Sequence, residues 1–123
     1  MRRSWPPRWS AAASWLADLA QSATDDDQFL QDLYDLVGAS VATAETIPAA
    51  IGLVARAQAD PVHTAILAAN LGGDTDTIGA IATGMAGAIT GVAGTPADLA
   101  ETLRTVNNID PSAVASQLVS LRH

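Results

Sequence analysis

Apolar residues recur along this chain at intervals of three and four, the spacing of one face of an α-helix. The stripes are Trp15, Leu16 and Leu19; Phe29, Leu30, Leu33, Leu36 and Val37; Ile51, Leu53 and Val54; Ile66 and Leu67; Leu99, Leu103 and Val106; and Val114, Leu118 and Leu121. No stretch alternates between apolar and polar residues as a half-buried strand would. The pattern therefore predicts an all-α protein.

Proline, glycine and short acidic signals divide these stripes into separate helices. The predicted helices run over 11–21, from Thr24-Asp25-Asp26-Asp27 to Gly38, from Thr46-Ile47-Pro48 to about Gln58, from Asp60-Pro61 to Gly72-Gly73, from Asp76 to about Val92, and onward from Thr95-Pro96 and from Asp110-Pro111. In this division Pro48 lies in the first turn of its helix, where its missing N–H is tolerated.

The predicted helix after Asp76 is unusually poor in side chains. It carries four glycines, Gly79, Gly84, Gly87 and Gly91, among many alanines. Each glycine inside a helix costs about 0.5–1 kcal/mol relative to alanine. Small residues four apart, such as Gly87 and Gly91, permit close approach of another helix. We therefore expect a central helix with neighbours on most sides.

Composition narrows the class of protein. A chain of 123 residues is long enough for one core; residues 1–10 are predicted to be an irregular lead-in and residues 11–123 a single helical domain. The net charge of −7, with no lysine, disfavours nucleic acid as a partner. The uncharged stretch 77–97 is too rich in Gly, Ala and Thr to predict a membrane span. The absence of cysteine fits a cytoplasmic protein.

The candidate chemistry lies in the segment Asn70-Leu71-Gly72-Gly73-Asp74-Thr75-Asp76-Thr77-Ile78. Its carboxylates and hydroxyls are oxygen ligands, which suit a hard cation such as Mg²⁺ or Ca²⁺. Asp74 and Asp76 would point apart on a regular helix, so they converge on one ion only if the glycine pair creates an irregular turn. The alternative is structural: the glycines end one helix, and Asp74 or Asp76 caps the next.

The stretch from Ala68 to Ala82, with its GGDTDT core, closely resembles the C-terminal signature of the ADP-ribosylglycohydrolase family, which includes the dinitrogenase reductase activating glycohydrolases. The segment Val41–Ala50 resembles the family's preceding stretch. This resemblance implies an orthogonal helical bundle around a Gly/Ala-rich central helix. It also implies a two-metal Mg²⁺ site, with Asp74, Asp76 and Thr77 as ligands and Asp76 able to bridge both ions. The implied reaction is hydrolysis of the glycosidic bond of an ADP-ribosylated protein or small ADP-ribosyl compound.

The same resemblance predicts that this chain is incomplete as an enzyme. Family members are more than twice as long, and their N-terminal half carries a GDALG-like segment and a T-D-D-T motif with the remaining ligands; GDALG has no match here. Thr24-Asp25-Asp26-Asp27 is interpreted as an acidic helix start, not as T-D-D-T. We expect a truncated or mis-started C-terminal portion that binds Mg²⁺ weakly, hydrolyses nothing alone and self-associates through surface that the missing half would cover.

Two other functional hypotheses are compatible with the sequence. The chain could be a non-catalytic helical remnant or interaction module, or a family hydrolase of another ribosyl bond. His63 is expected to be structural, Glu45 to be a solvated acid with a supporting role at the site as the alternative, and Asn70 to be a helix-end residue.

Overall fold

The computed structural model describes residues 7–122, with side chains from Ala12 onward. Its helices are α1 (Pro7–Ser22), α2 (Asp26–Leu36), α3 (Thr43–Arg56), α4 (Pro61–Leu71), α5 (Thr75–Thr90), α6 (Ala97–Asn107) and α7 (Pro111–Ser120), with a 3₁₀ turn at Val92–Gly94. These residues contain no strand, so the predicted all-α fold is confirmed. Within 7–122 no helix combines the length and the apolar character needed to cross a membrane.

The first helix begins earlier than the sequence predicted. It starts at Pro7 rather than at Ala11, so residues 7–10 are helical and not part of an irregular lead-in. Proline is favourable at the first helical position, because that residue's N–H would have no partner within the helix. The rest of the predicted lead-in, residues 1–6, lies outside the described residues.

The start of α3 was also predicted wrongly. The Ala42 carbonyl accepts the N–H groups of Glu45 and Thr46, at 2.8 and 2.9 Å, and α3 begins at Thr43. The Thr46 hydroxyl donates to the carbonyls of Ser40 and Ala42, so it does not act as an N-cap acceptor. Pro48 consequently lies inside the helix, one turn later than expected.

The core is formed by side chains from α1 to α5. The largest fully buried apolar side chains are Phe29 and Leu33 of α2, Leu53 of α3, Leu67 of α4 and Ile78 of α5. Helix α3 packs between α1 and α5, and α4 packs along α5. Burying a side chain of this size contributes about 1.5–3 kcal/mol. The five helices therefore share one hydrophobic core.

Helix α5 is covered on one side only. Its buried residues, Ile78, Ala82 and Ala86, are spaced by one helical turn and face the core. Its closest glycine contact is at Gly79, where an added Cβ would lie 3.3 Å from Ala68 of α4. Gly84 and Gly87 have no atom within 4 Å of their Cβ positions. The prediction of neighbours on most sides is therefore wrong for the described residues.

Helices α6 and α7 have the predicted apolar stripes, but these stripes are not buried. No residue of either helix belongs to the buried core. The exposed apolar residues there are Leu99, Leu103, Val106, Val114, Leu118 and Val119. Helical periodicity thus predicted the elements correctly but did not predict what covers them.

An ion-pair cluster joins α1, α2, α3 and α4 at one end of the bundle. Arg56 Nε lies 2.7 Å from one carboxylate oxygen of Asp26, and His63 Nε2 lies 2.8 Å from the other. Arg56 also donates to the carbonyls of Ala20 and Ala23, at the C-terminal end of α1. Hydrogen bonds from Arg56 and then from His63 hold the pKa of Asp26 below its ordinary value.

Replacing Arg56 tests this cluster. We expect Arg56→Ala to lower the free energy of unfolding by about 2–3 kcal/mol, because the Ala20 and Ala23 carbonyls lose a charged donor as Asp26 loses its partner. The matched control is Arg104→Ala, since Arg104 pairs with Glu101 at 3.5 Å on an exposed helix face. Its effect should stay below about 1 kcal/mol. Urea unfolding of both variants provides the measurement, and equal losses would contradict this account.

Candidate metal site

The candidate site is built on a sharp break between α4 and α5. Helix α4 ends at Leu71, and Gly72 and Gly73 then adopt positive φ angles of 87° and 68°. The Asp74 N–H donates to the Ala39 carbonyl at 2.7 Å. An added Cβ on Gly73 would collide with that same carbonyl oxygen. The turn therefore needs glycine at position 73, both for its φ angle and for the space beside Ala39.

The three predicted ligands lie together where α5 begins. Asp74 occupies the N-cap position, and Asp76 and Thr77 belong to the first turn of α5. The Thr77 hydroxyl donates to Asp74 Oδ1 at 3.0 Å. The Thr77 backbone N–H and then a hydrogen bond with the Asp74 carboxyl lower the pKa of Asp76. The irregular turn needed to bring the two aspartates together is thus present, with Asp74 outside the helix and Asp76 inside it.

Asp74 occupies a capping position without capping the helix. At the starts of α2, α4 and α7, Asp25, Asp60 and Asp110 each accept a backbone N–H from their helix, at 2.7–3.0 Å. Asp74 makes no such bond, and its carboxylate contacts the Thr77 hydroxyl instead. The structural alternative of an ordinary acidic cap therefore does not explain Asp74.

The electrostatics of the turn favour a cation. In the described part of the chain, the ion pairs involve Asp26 and Glu101, and neither Asp74 nor Asp76 has an arginine or histidine partner. Asp76 and Thr77 are exposed, and Asp74 is half-buried. The positive end of the α5 dipole opposes a bound cation, but two adjacent carboxylates outweigh a partial charge of about +0.5.

The ligand set fits a hard divalent cation only in part. Carboxylate and hydroxyl oxygens are the donors that Mg²⁺ takes, but its octahedral shell needs six. No cluster of three or more His, Cys, Asp or Glu residues suited to a metal occurs within the described residues. Asp74, Asp76 and Thr77 would thus supply three protein ligands, and water or further groups the rest.

Two shallow grooves adjoin the turn. One, of about 350 Å³, lies between α4 and α5 and is lined by small residues, with Thr75 and Asp76 at one end and Thr83 further along. The other, of about 490 Å³, lies between α2 and α4 and includes Tyr34 and Asn70. An added Cβ on Gly72 would lie 3.7 Å from the Tyr34 ring, so this aromatic side chain borders the turn. Sequence reasoning did not identify Tyr34, because it belongs to no motif.

The remaining candidates have structural contacts. Asp25, within the predicted acidic helix start, is the N-cap of α2 and accepts the Gln28 N–H at 2.8 Å. His63 lies in the ion-pair cluster with Asp26, as expected of a structural histidine. Asn70 donates to the Ile66 carbonyl at 2.8 Å within the last turns of α4.

Glu45 differs from the solvated acid that we expected. It is half-buried, and its carboxylate accepts the Ser40 N–H at 2.9 Å. The Ser40 hydroxyl and then the Ser40 backbone N–H lower the pKa of Glu45. The helical position of Glu45 gave no signal of this contact, which depends on how the loop between α2 and α3 folds back.

Comparison with known proteins assigns this helical chain to a family. The family model described as ADP-ribosylglycohydrolase matches residues 2–123, and the chain therefore belongs to the ADP-ribosylglycohydrolase family. It is similar to the uncharacterized protein YegU of Escherichia coli strain K12, with 43% identity over 104 residues. The matched region is 85% of this chain but 31% of that relative, so the chain spans less than a third of the relative's length. No solved structure matches.

Two glycine substitutions separate the requirements of the turn from those of α5. Gly73→Ala should lower the free energy of unfolding by at least about 1–2 kcal/mol, because alanine is strained at a φ of +68° and its Cβ would collide with the Ala39 carbonyl. Gly84→Ala should instead raise it by about 0.5–1 kcal/mol, since this helical glycine has open space around it. Thermal and urea unfolding measure both. A stabilising Gly73→Ala would refute the described turn.

Proposed function

We propose that this chain carries part of the metal site of an ADP-ribosylglycohydrolase. The proposed reaction is hydrolysis of the N- or O-glycosidic bond that joins ADP-ribose to a protein side chain or to a small acceptor. Asp74, Asp76 and Thr77 are the proposed Mg²⁺ ligands. Membership of the family supports this class of reaction, and the geometry of the turn supports the ligand assignment.

The observation that carries the proposal is that the Asp74 carboxylate accepts no backbone N–H of α5, although Asp74 occupies the N-cap position. Three other aspartates in N-cap positions use their carboxylates to accept helix N–H groups. Asp74 is held in its N-cap position by its backbone N–H, which donates to the Ala39 carbonyl. Its carboxylate is therefore not needed to secure the helix start and can act as a ligand.

Each of the three residues has a distinct part in the proposed site. Asp74 supplies a half-buried carboxylate from the turn, and Asp76 supplies an exposed one from α5. An exposed aspartate such as Asp76 is ionised at neutral pH, as a metal ligand must be. Thr77 fixes one oxygen of Asp74 and offers its own hydroxyl oxygen. The bound ions would orient ribose hydroxyls and activate water.

The proposed site is incomplete on this chain. Two carboxylates and a hydroxyl leave about half of an octahedral Mg²⁺ shell to water, which implies weak binding. The curated relative is more than three times as long as the matched region, so a complete site would draw its other ligands from residues that have no counterpart here. We therefore propose that the isolated chain is inactive.

A second candidate is a non-catalytic helical module that associates with itself or with another protein. The specific observation in its favour is the apolar surface of α6 and α7, where Leu103, Val106 and Leu118 are more than half exposed. The open face of α5 around Gly84 and Gly87 adds to it. The Mg²⁺ experiment described next discriminates between the two candidates, because a helical module needs no cation.

Binding of Mg²⁺ at the proposed site should stabilise the folded chain. With Mg²⁺ at about ten times its dissociation constant, the chain should gain about 1.4 kcal/mol of stability, seen as a rise of several degrees in Tm. The double variant Asp74→Asn with Asp76→Asn should lose this rise. Asp98→Asn, an exposed aspartate of α6, should retain it. Calorimetric melting with and without Mg²⁺ is the measurement. The absence of any Mg²⁺-dependent rise in the unaltered chain would favour the helical module, and a rise that persists in the double variant would refute Asp74 and Asp76 as ligands.

The isolated chain should show no hydrolase activity. The purified 123-residue chain should release no ADP-ribose from ADP-ribosylated arginine, ADP-ribosylated serine or O-acetyl-ADP-ribose at millimolar Mg²⁺, because it supplies only part of the ligand shell. Chromatographic detection of free ADP-ribose is the measurement, with a full-length family hydrolase as the positive control. Release that depends on Mg²⁺ and is abolished in the Asp74→Asn, Asp76→Asn chain would overturn the proposed inactivity while supporting the site.

A further inference from the structure

Glu45 lies against the end of α2, far from the metal-binding turn in sequence. Its Oε2 accepts the Ser40 N–H at 2.9 Å. Gly38, with a φ angle of 92°, lies so close that an added Cβ would collide with the Glu45 carboxylate. The carboxylate therefore lies directly on the backbone of the loop that follows α2, in space that only a glycine leaves open.

The same loop contacts the turn from its other side. Ala39 lies between Gly38 and Ser40, the two residues that the Glu45 carboxylate touches. Its side chain is buried in the core, and its carbonyl accepts the Asp74 N–H at 2.7 Å. Gly73 makes room for this carbonyl by lacking a Cβ. One loop residue thus separates the Glu45 carboxylate from the hydrogen bond that holds Asp74.

We propose that Glu45 is a positioning residue for the metal-binding turn. By holding Ser40 and packing on Gly38, it fixes the Ala39 carbonyl as the acceptor for Asp74, and so fixes the distance between the Asp74 and Asp76 carboxylates. Glu45 does not touch the metal in this proposal. The inference rests on the proposed metal function, but its effect on the turn can be measured without any metal.

More than one hydrogen bond holds the Ser40 backbone against α3. The Thr46 hydroxyl donates to the Ser40 carbonyl at 3.0 Å, so adjacent residues of α3 hold both polar groups of the Ser40 backbone. Hydrogen bonding to Ser40 lowers the pKa of Glu45, as expected for a carboxylate whose charged form the loop stabilises. The other glutamate of the chain, Glu101, makes a 3.5 Å pair on an exposed helix.

These two glutamates provide a matched experiment with Mn²⁺ as the probe. Loss of a residue that orients a metal ligand typically reduces metal affinity about 10–100-fold. Glu45→Ala should therefore raise the Mn²⁺ dissociation constant at least about 10-fold. Glu45→Gln should recover most of the affinity, because its amide oxygen still accepts the Ser40 N–H. Glu101→Ala removes the same charge and should leave the affinity unchanged. Electron paramagnetic resonance of free Mn²⁺ measures all three.

A further variant separates positioning from general loss of stability. Asp26→Asn weakens the ion-pair cluster at the start of α2 and should lower Tm, yet it should leave the Mn²⁺ affinity unchanged. Equal losses of affinity in Asp26→Asn and Glu45→Ala, at equal loss of Tm, would overturn the positioning role.

Amide hydrogen exchange tests the turn without metal. In Glu45→Ala the Asp74 N–H should exchange faster, by a larger factor than the N–H of the core residue Leu53. Unchanged protection of Asp74 relative to Leu53 would reject the inference about Glu45. If Asp74→Asn leaves the Mn²⁺ affinity unchanged, the proposed metal function fails instead. If Asp74→Asn weakens binding and Glu45→Ala does not, only the positioning role fails.

Discussion

The close approach of Gly73 to the Ala39 carbonyl is the contact on which the candidate site depends. It allows the Asp74 N–H to reach that carbonyl at 2.7 Å, which ends the turn and starts α5. A side chain at position 73 would push the two segments apart. Asp74 would then need its own carboxylate to secure the helix start, as aspartates do at the other helix starts. Backbone packing thus leaves the carboxylate free for another role.

Two groups of acidic residues lie at opposite ends of α4, and their environments differ. At its N-terminal end, Asp26 pairs with Arg56 and is hydrogen-bonded to His63, and the cluster links four helices. At its C-terminal end, Asp74 and Asp76 interact with each other and with Thr77. Within the described residues neither aspartate has a basic partner. The first arrangement suits stability, and the second is the one proposed to hold a cation.

The sequence predicted the bounds of the helices better than it predicted the contacts around them. The Asp60-Pro61 start and the Gly72-Gly73 end of α4 were correct, because capping and positive φ are local requirements. The start of α3 was wrong, because the Ser40 and Ala42 carbonyls engage Thr46 through the fold of the loop. No local signal reports such a contact.

The largest error of the sequence-based prediction concerned which helix faces are covered by other helices. The cause of this error is physical. A periodic apolar stripe shows which face of α6 or α7 is apolar, but not whether another element covers that face. Likewise, small residues show where a helix can approach α5, and the described neighbours approach at Gly79 rather than at Gly87. For the candidate site, the assignment of Asp74, Asp76 and Thr77 as ligands rests on a local motif and stays a prediction. The connection from Glu45 to the turn could not be predicted, since it passes through Ala39, which belongs to no motif.

The two segments that resemble the family meet at this support. The upstream segment contains Glu45, and the downstream one contains Gly73 and Asp74, yet they share no apparent chemistry in the sequence. In the fold they are joined through the loop 38–40, by the Glu45–Ser40 and Ala39–Asp74 hydrogen bonds. A carboxylate pair binds an ion more tightly when its spacing is already fixed, because less has to be ordered on binding. The proposed metal-binding turn and Glu45 are therefore connected through one loop, which is the physical basis for proposing that they act together.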